Sequence, residues 1–315
     1  MTTTEAATEV AQAEAPGWRF FDTVVTGSRR LGPSTVRLTL GAPELAGFGV
    51  AGDDQRIKFV LPRQPGSDVM ELLVPGDEWY AAYCALPDEV RPFLRTYTVR
   101  AARPDRAEID VDVVLHGVDG GHAGPAATWA AAAVPGDRLV VLGPDRPGSG
   151  RMWGVEWAPP ATAHTLLLAA DETAVPAVGA ILEGLAPGRR VVALLEVPET
   201  GDEQALDVPA GVTVHWLPRS GRARGELLVP AVHAALCELG IASPGRTGEV
   251  VEDAGPDDID LLWEVPDVDA TAGCYAWLAG EAGVVKQLRR HLVTDLGVPR
   301  NEVAFMGYWR VGVAA

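Results

Sequence analysis

A change of rhythm near residue 143 constrains this chain more than any other feature of its 315 residues. Upstream, short runs follow one another with Gly and Pro breaks between them: Phe20 to Thr26, Ser34 to Leu40 (STVRLTL), Gln55 to Leu61 (QRIKFVL), Arg95 to Ala101 (RTYTVRA), Glu108 to Leu115 (EIDVDVVL) and Asp137 to Leu142 (DRLVVL). Alternating or apolar runs of this length, bounded by turn residues, read as strands. Six of them at such close spacing predict a small antiparallel β-barrel. A short helical pattern, Ala126 to Ala133, falls between the last two. Downstream, strand and helix take turns. Strands are expected at His164 to Ala170, Arg190 to Val197, Val212 to Leu217, Tyr275 to Ala279 and Glu302 to Tyr308. Helices are expected at Glu172 to Leu185, Gly225 to Leu239 and Ala282 to Leu296. Such alternation implies a doubly wound parallel sheet. The expected division is a disordered tail at 1–16, a barrel domain at 17–147, a linker at 148–163 and an α/β domain at 164–315. Residues 249–269 hold nine acidic side chains and no basic one, which reads as a solvated insertion loop.

Charge narrows the choice of partners. With 26 Lys and Arg against 43 Asp and Glu, the formal charge is −17, a field that repels nucleic acid and anionic lipid headgroups. An anionic ligand must then be held by a local cluster of cations, so clustered Arg and Lys residues carry information. The three cysteines, Cys84, Cys237 and Cys274, are too widely spaced for a zinc knuckle or an iron–sulfur cluster, and no metal site is expected. Their small, odd number suits a reducing compartment. Met1 to Pro16 has Glu5, Glu9 and Glu14 but no basic residue, unlike a signal peptide. No run of about 18 apolar residues is present to span a membrane. A cytoplasmic location is expected.

The sharpest local signal is Arg95-Thr96-Tyr97-Thr98. On a strand Arg95 and Tyr97 point one way, Thr96 and Thr98 the other. A flavin dinucleotide calls for a cation at its pyrophosphate, a flat ring against the isoalloxazine and a hydrogen-bonding group near N5. This order of side chains can supply all three; it can also be a plain strand with a surface ion pair. Further on come Asp112-Val113-Val114-Leu115-His116-Gly117 and Gly124-Pro125-Ala126-Ala127-Thr128-Trp129-Ala130. The second opens a helix, whose free N–H groups and dipole attract phosphate, although Gly-Pro is equally an ordinary helix start and His116 by itself an ordinary strand histidine.

Taken together, LRTYTVR, DVDVVLHG, GPAATWA, VPGDRLVVLGP, AADETAVPA, LAGEAGVVKQLRRHL and GYWRVG resemble the siderophore-interacting proteins, ferric-siderophore reductases related to the ferredoxin–NADP reductases. The resemblance runs from about Arg19 to Gly312. It implies a six-stranded FAD barrel followed by a nicotinamide-type domain. It also implies that Arg95, Thr96, Tyr97 and Thr98 contact the flavin, with Asp112, His116 and the turn at Gly124, Ala126, Ala127 and Thr128 around its pyrophosphate. One departure is the spacer Asp119-Gly120-Gly121-His122-Ala123, longer than the usual gap in the family.

The donor site is less clearly written. The turn after the first strand of the second half is Ala170-Asp171-Glu172-Thr173-Ala174-Val175-Pro176, with no GxGxxG, and its two acids repel phosphate. Asp171 is expected to cap the following helix. Thr173, Arg219, Gly280 and Glu281 are the candidate contacts to NAD(P)H, with Arg219 either at an adenosine phosphate or a simple strand-end charge. Reduced ferredoxin is the alternative donor. For the iron ligand, the resemblance implies a siderophore-facing role for Lys58, on one strand face with Arg56. Arg310 lies beyond the last strand, at the edge where open sheets bind ligands. Arg290 shares a helix face with Lys286 and Arg289, where the trio equally suits a helix C-terminus. The expected activity is FAD-dependent reduction of a ferric siderophore to release Fe(II), with no side chain acting as nucleophile or acid. Rival readings are a flavin reductase for another small acceptor and a non-catalytic siderophore-binding protein.

Overall fold

The computed structural model describes residues 17–76, 78–118, 123–145, 154–241, 263–266 and 272–312. The expected tail, the glycine-rich spacer at 119–122, residues 148–153 of the linker and most of the acidic segment lie outside them.

Six strands close into a barrel: β1 (Trp18–Arg30), β2 (Thr35–Gly41), β3 (Arg56–Leu61), β4 (Phe93–Arg103), β5 (Glu108–Val114) and β6 (Arg138–Pro144), in the order β1-β2-β5-β4-β3-β6. Every pairing is antiparallel. Alternate residues point inward, so Phe21, Leu38, Leu40, Ile57, Phe59, Ile109, Val111 and Val141 fill the barrel. Closure also removes the exposed strand edges that an open sheet would leave. Between β3 and β4 the chain forms a helix that the apolar pattern did not reveal, α1 (Trp79–Ala85); seven residues are too few to establish a helical period. The next helix, α2 (Pro125–Ala132), lies where it was expected. Its Ala126, Ala130 and Trp129 pack on the barrel core, small residues letting the helix approach closely.

The second half is a six-stranded sheet. β7 (Thr165–Asp171), β8 (Arg190–Val197), β9 (Val212–Pro218), β10 (Trp263–Glu264), β11 (Cys274–Glu281) and β12 (Val303–Trp309) run in the order β10-β12-β11-β7-β8-β9. Helix α3 (Val175–Gly184) covers one face, packing Val178 and Ile181 on Leu166, Leu168 and Trp277. Helices α4 (Leu228–Leu239) and α5 (Ala282–Arg289) cover the other, packing Val232, Leu236 and Leu288 on Leu167, Leu194 and Phe305. Burial on both faces explains the almost continuous apolar strand sequences.

Three expectations need correction. The sheet is not wholly parallel, because β10 pairs antiparallel with β12 at one edge. β10 comes from the segment read as a solvated loop. It is held because Glu264 pairs with Arg289 and Arg300 (2.7 and 2.6 Å), while Trp263 stacks on Tyr308. The last helix does not run regularly to Leu296; after Arg289 it widens into a π-helical stretch, Arg290–Asp295.

Polar contacts fasten barrel to sheet. Buried Asp54 accepts the N–H groups of Glu156 and Trp157, both at 3.0 Å. Arg56 pairs with Glu156 at 2.9 Å, and Arg100 forms a two-pronged pair with Glu183 of α3. Asp202 accepts the Ser34 N–H at 2.7 Å. Removing the Asp54 carboxylate leaves two N–H groups without their acceptor, at about 1–3 kcal/mol for each buried group left unsatisfied. Asp54→Ala is therefore expected to lower unfolding free energy by about 2 kcal/mol or more in urea denaturation, and an unshifted midpoint would show that the connection is held elsewhere.

Candidate functional site

The register of β3 and β4 lays out the first part of the site. Arg56 opposes Thr98, Lys58 opposes Thr96 and Val60 opposes Leu94, so these three rows share the outer barrel face. The first row lies under the sheet: the Arg56 guanidinium sits 4.2 Å from the Trp263 ring, and Thr98 is buried. The third lies in an apolar cluster with Trp79 of α1. The middle row is the floor between them. There the Lys58 Nζ donates to Thr96 Oγ1 at 3.1 Å and, among the described residues, has no carboxylate partner. Burial, aided by the Arg56 charge, pushes the Lys58 pKa down.

Arg95 and Tyr97 occupy the inner side. The Tyr97 ring packs on Phe59 (4.5 Å between centroids), and Phe59 in turn meets Trp129 of α2 edge-on at 6.2 Å. Tyr97 and α2 therefore share one end of the barrel. Burial pushes the Tyr97 phenol up to about 12, so it remains protonated at ordinary pH. Arg95 donates to the Leu94 carbonyl and leans over Phe93, with no acid paired to it among the described residues. At α2 the N-cap is Gly124, no side chain among the described residues caps the helix, and Thr128 is exposed.

Carboxylates line the C-terminal crest of the parallel strands, and most are already satisfied. Glu196 accepts from the Gly225, Leu227 and Leu228 N–H groups, fixing the start of α4. Glu281 is the N-cap of α5, accepting from Val284 N–H at 3.0 Å. Asp171 does not cap α3, whose N-cap is Ala174 without a side-chain bond. Its carboxylate instead accepts from the Thr173 N–H and hydroxyl, the Glu281 N–H and the Trp309 indole Nε1–H. That ties the ends of β7, β11 and β12 together. Gly280 is required beside it: φ is +151°, and an added Cβ would lie 2.7 Å from the Asp171 Cγ.

Trp309 joins the two halves. His116, just beyond β5, stacks on one side of it (4.8 Å, 28° between planes), and Arg224 lies 4.7 Å from its ring. His116 Nδ1 is 3.7 Å from Glu172, while Nε2 is buried with no partner among the described residues. Burial pushes the His116 pKa below the ordinary value, leaving the ring neutral at pH 7.

Three candidates do not stand where expected. Asp112 is buried in the barrel wall, where its cross-strand neighbour Arg37 grips it with two bonds (2.6 and 2.8 Å), so it is structural. Arg219 is buried too. It donates twice to Glu172 (2.6 and 3.0 Å) and also reaches Glu196, so its charge is spent inside the fold and not at a phosphate. Burial works to raise the Glu172 carboxyl, but Arg219 outweighs it and holds the group below its usual range. Arg290 does not join Arg310. α5 starts at the crest and runs back along the sheet, placing Arg290 about 13 Å further down at 1.5 Å per residue. Arg310 follows directly on β12, half-buried at the crest. Conversely, Trp309, which holds Asp171 and stacks on His116, and Arg224 beside it stand out only in the folded structure. Both act through contacts with distant segments, and no local pattern marks them.

A closed antiparallel barrel that carries Arg-Thr-Tyr-Thr and is followed by a parallel-rich sheet defines a two-domain flavoprotein oxidoreductase. Family profiles agree: residues 24–148 match the siderophore-interacting FAD-binding domain, and residues 163–312 match the siderophore-interacting protein profile. The siderophore-interacting protein SipS from Aeromonas hydrophila is 30% identical in its crystal structure, with a TM-score of 0.62 over 95% of this chain and 94% of that one. The ferric vibriobactin reductase ViuB of Vibrio cholerae is 26% identical, over 88% of this chain and 84% of its own. The NADPH-dependent ferric-chelate reductase of Escherichia coli is 28% identical, over 92% of this chain and 93% of its own. The chain belongs to the siderophore-interacting protein family.

Burial, with the Glu172 charge beside it, raises the Asp171 pKa from 3.8 to about 6. Between those values the folded chain keeps a proton that the unfolded chain has released, so this group's contribution to stability falls as pH rises from about 4 to about 6 and is flat above. Asp171→Asn is expected to remove that part of the slope, measured as the difference between wild-type and variant urea midpoints across this range; parallel curves would refute the assignment.

Proposed function

We propose that this chain reduces ferric siderophores through bound FAD, releasing Fe(II) in the cytoplasm. The observation that carries the reading is the outer-face row of Lys58 and Thr96. It presents the Lys58 ammonium, without a carboxylate partner among the described residues, between the sheet and α1 on a chain whose net charge is −17. An anionic chelate is attracted there against the general field, since a cation in a partly desolvated cleft acts more strongly than one in water.

The surrounding residues fit a flavin dinucleotide. Arg95 has no acid paired to it among the described residues, Tyr97 offers a partly exposed ring backed by Phe59, and α2 opens with no side-chain cap. In this reading Arg95 and the N–H groups of Ala126, Ala127 and Thr128 hold the pyrophosphate, with Gly124 leaving room for it. Tyr97 would lie against the isoalloxazine, and the Thr96 and Thr98 hydroxyls would supply polar contacts. His116, neutral and with a buried Nε2, offers one further hydrogen bond toward the same ligand. When bound, FAD would supply the chemistry of accepting a hydride and passing single electrons to Fe(III). Lys58 and Arg310 orient the chelate, and the packed barrel wall keeps bulk water from the back of the site. No side chain needs to exchange a proton with the iron complex. Fe(II) binds hard oxygen ligands less firmly, which favours release.

For the donor, NAD(P)H is our first assignment, with Thr173, Gly280 and Glu281 at the nicotinamide-side turn. One observation favours a second reading, reduced ferredoxin. The crest presents Asp171, Glu172, Glu196 and Glu281, and its buried cation Arg219 is spent on two of them. A pyrophosphate approaching this turn meets carboxylates.

Two expectations follow. The purified protein is yellow, and anaerobic NADH or NADPH bleaches it; bleaching only by reduced ferredoxin would transfer the donor role. Lys58→Ala and Arg310→Ala are expected to raise KM for an anionic ferric siderophore by about tenfold each, the loss of one charge-assisted contact, while FAD stays bound. Unchanged KM in both, or equal turnover of a neutral quinone and a ferric siderophore, would favour a general flavin reductase.

A further inference from the structure

Two residues along a strand span about 7 Å, so the row formed by Val60 and Leu94 directly adjoins the Lys58 floor. Trp79 packs in the cluster formed at that row. Whatever rests on Lys58 therefore abuts α1. This helix is unusual in composition. Three of its seven residues, WYAAYCA, are aromatic, and none is buried. Trp79 meets Phe20 edge-on at 5.9 Å, while the Tyr80 and Tyr83 rings lie nearly parallel, 18° apart in plane with centroids at 6.4 Å. The Tyr83 hydroxyl donates to the Pro92 carbonyl at 2.9 Å, which fixes its ring. Aromatic rings gathered on one short helix ordinarily turn toward a core, yet Tyr80 keeps 60% of its surface in solvent.

Cations frame these rings. The charges of Arg91, Arg95 and Arg63 all act on the Tyr83 phenol, although burial outweighs them and raises its pKa. Arg63 lies 4.3 Å from the Phe93 ring and donates to the Arg91 carbonyl, with no carboxylate partner among the described residues. Arg91 is 5.9 Å from the Tyr83 ring and shares its charge with the exposed Asp88. An exposed aromatic platform flanked by the Arg63 and Arg91 guanidinium groups, one strand row along from Lys58, matches a ligand that is both flat and anionic.

We propose that α1 is the specificity-determining wall of the Lys58 groove, where Trp79, Tyr80 and Tyr83 stack on the aryl rings of a catecholate- or phenolate-type ferric chelate. This rests on the reading of the groove as the chelate site. Aryl arms gain offset or edge-on stacking against such a wall, and their negative charge is met by Arg63 and Lys58. A hydroxamate chelate has aliphatic arms and no net charge, and it gains neither.

The test uses the FAD-loaded protein and tryptophan-fluorescence titrations with ferric tris-catecholate and ferric tris-acetohydroxamate. Wild type is expected to bind the catecholate more tightly. Tyr80→Ala, at an exposed position that the fold does not need, should raise the catecholate Kd by about 3- to 10-fold and leave the hydroxamate Kd unchanged. Arg63→Gln should weaken catecholate binding and flatten its dependence on salt. Equal shifts for both chelates, or none for either, would overturn the assignment of α1 while leaving the groove reading intact. Loss of FAD from Tyr80→Ala would assign the platform to the cofactor and also overturn it. If wild type binds neither chelate, the groove reading fails and this inference fails with it.

Discussion

The Asp171 carboxylate is the knot at the top of the sheet. Its four donors come from the loop after β7, the end of β11 and the indole of Trp309 beyond the middle of the crest. A buried carboxylate is costly unless hydrogen bonds meet its lone pairs, and here the bonds come from three chain segments that must converge to make them. Satisfying one charge thereby sets the relative positions of those strand ends. It also aims Trp309, whose ring then meets His116 of the barrel. The contact between the halves is thus set partly by a group that belongs to only one of them.

A common electrostatic logic runs through the molecule. Most charges at the crest are used internally: Glu172 and Glu196 hold Arg219, Glu196 and Glu281 hold helix starts, and Asp112 holds Arg37 in the barrel wall. Lys58, Arg63 and Arg95 form no ion pair among the described residues, and they cluster around the β3–β4 hairpin. In a chain of net charge −17, such a cluster is the local inversion of sign that an anionic ligand requires. The strand register then sorts these cations, Lys58 to the outer face and Arg95 to the inner.

Much of the architecture could be read in the sequence, for reasons tied to particular residues. EIDVDVVL alternates because one face of its strand fills the barrel while the other carries carboxylates held by Arg37 and Arg103, whereas TLLLAAD and RVVALLEV are continuously apolar because helices cover both faces of their sheet. Arg95 to Thr98 announced itself because four chemically distinct side chains fall in one short strand. α1 left no such mark because its seven residues are too few to establish a helical period and its Tyr80 faces solvent. β10 escaped notice because it is pinned by Arg289 and Arg300, far along the chain.

What the sequence determined by itself was therefore everything that depends on local period and local chemistry: the barrel, the alternating α/β half, the flavin-type motif and the family. Only the tertiary structure decided which charges are available. Arg219 and Asp112 looked as eligible as Arg95 or Lys58 when written in a line; distant partners spend the first two and leave the second two without acids among the described residues. Pairing energy depends on distance in space, and separations of 47 and 75 residues between partners leave no trace in spacing along the chain.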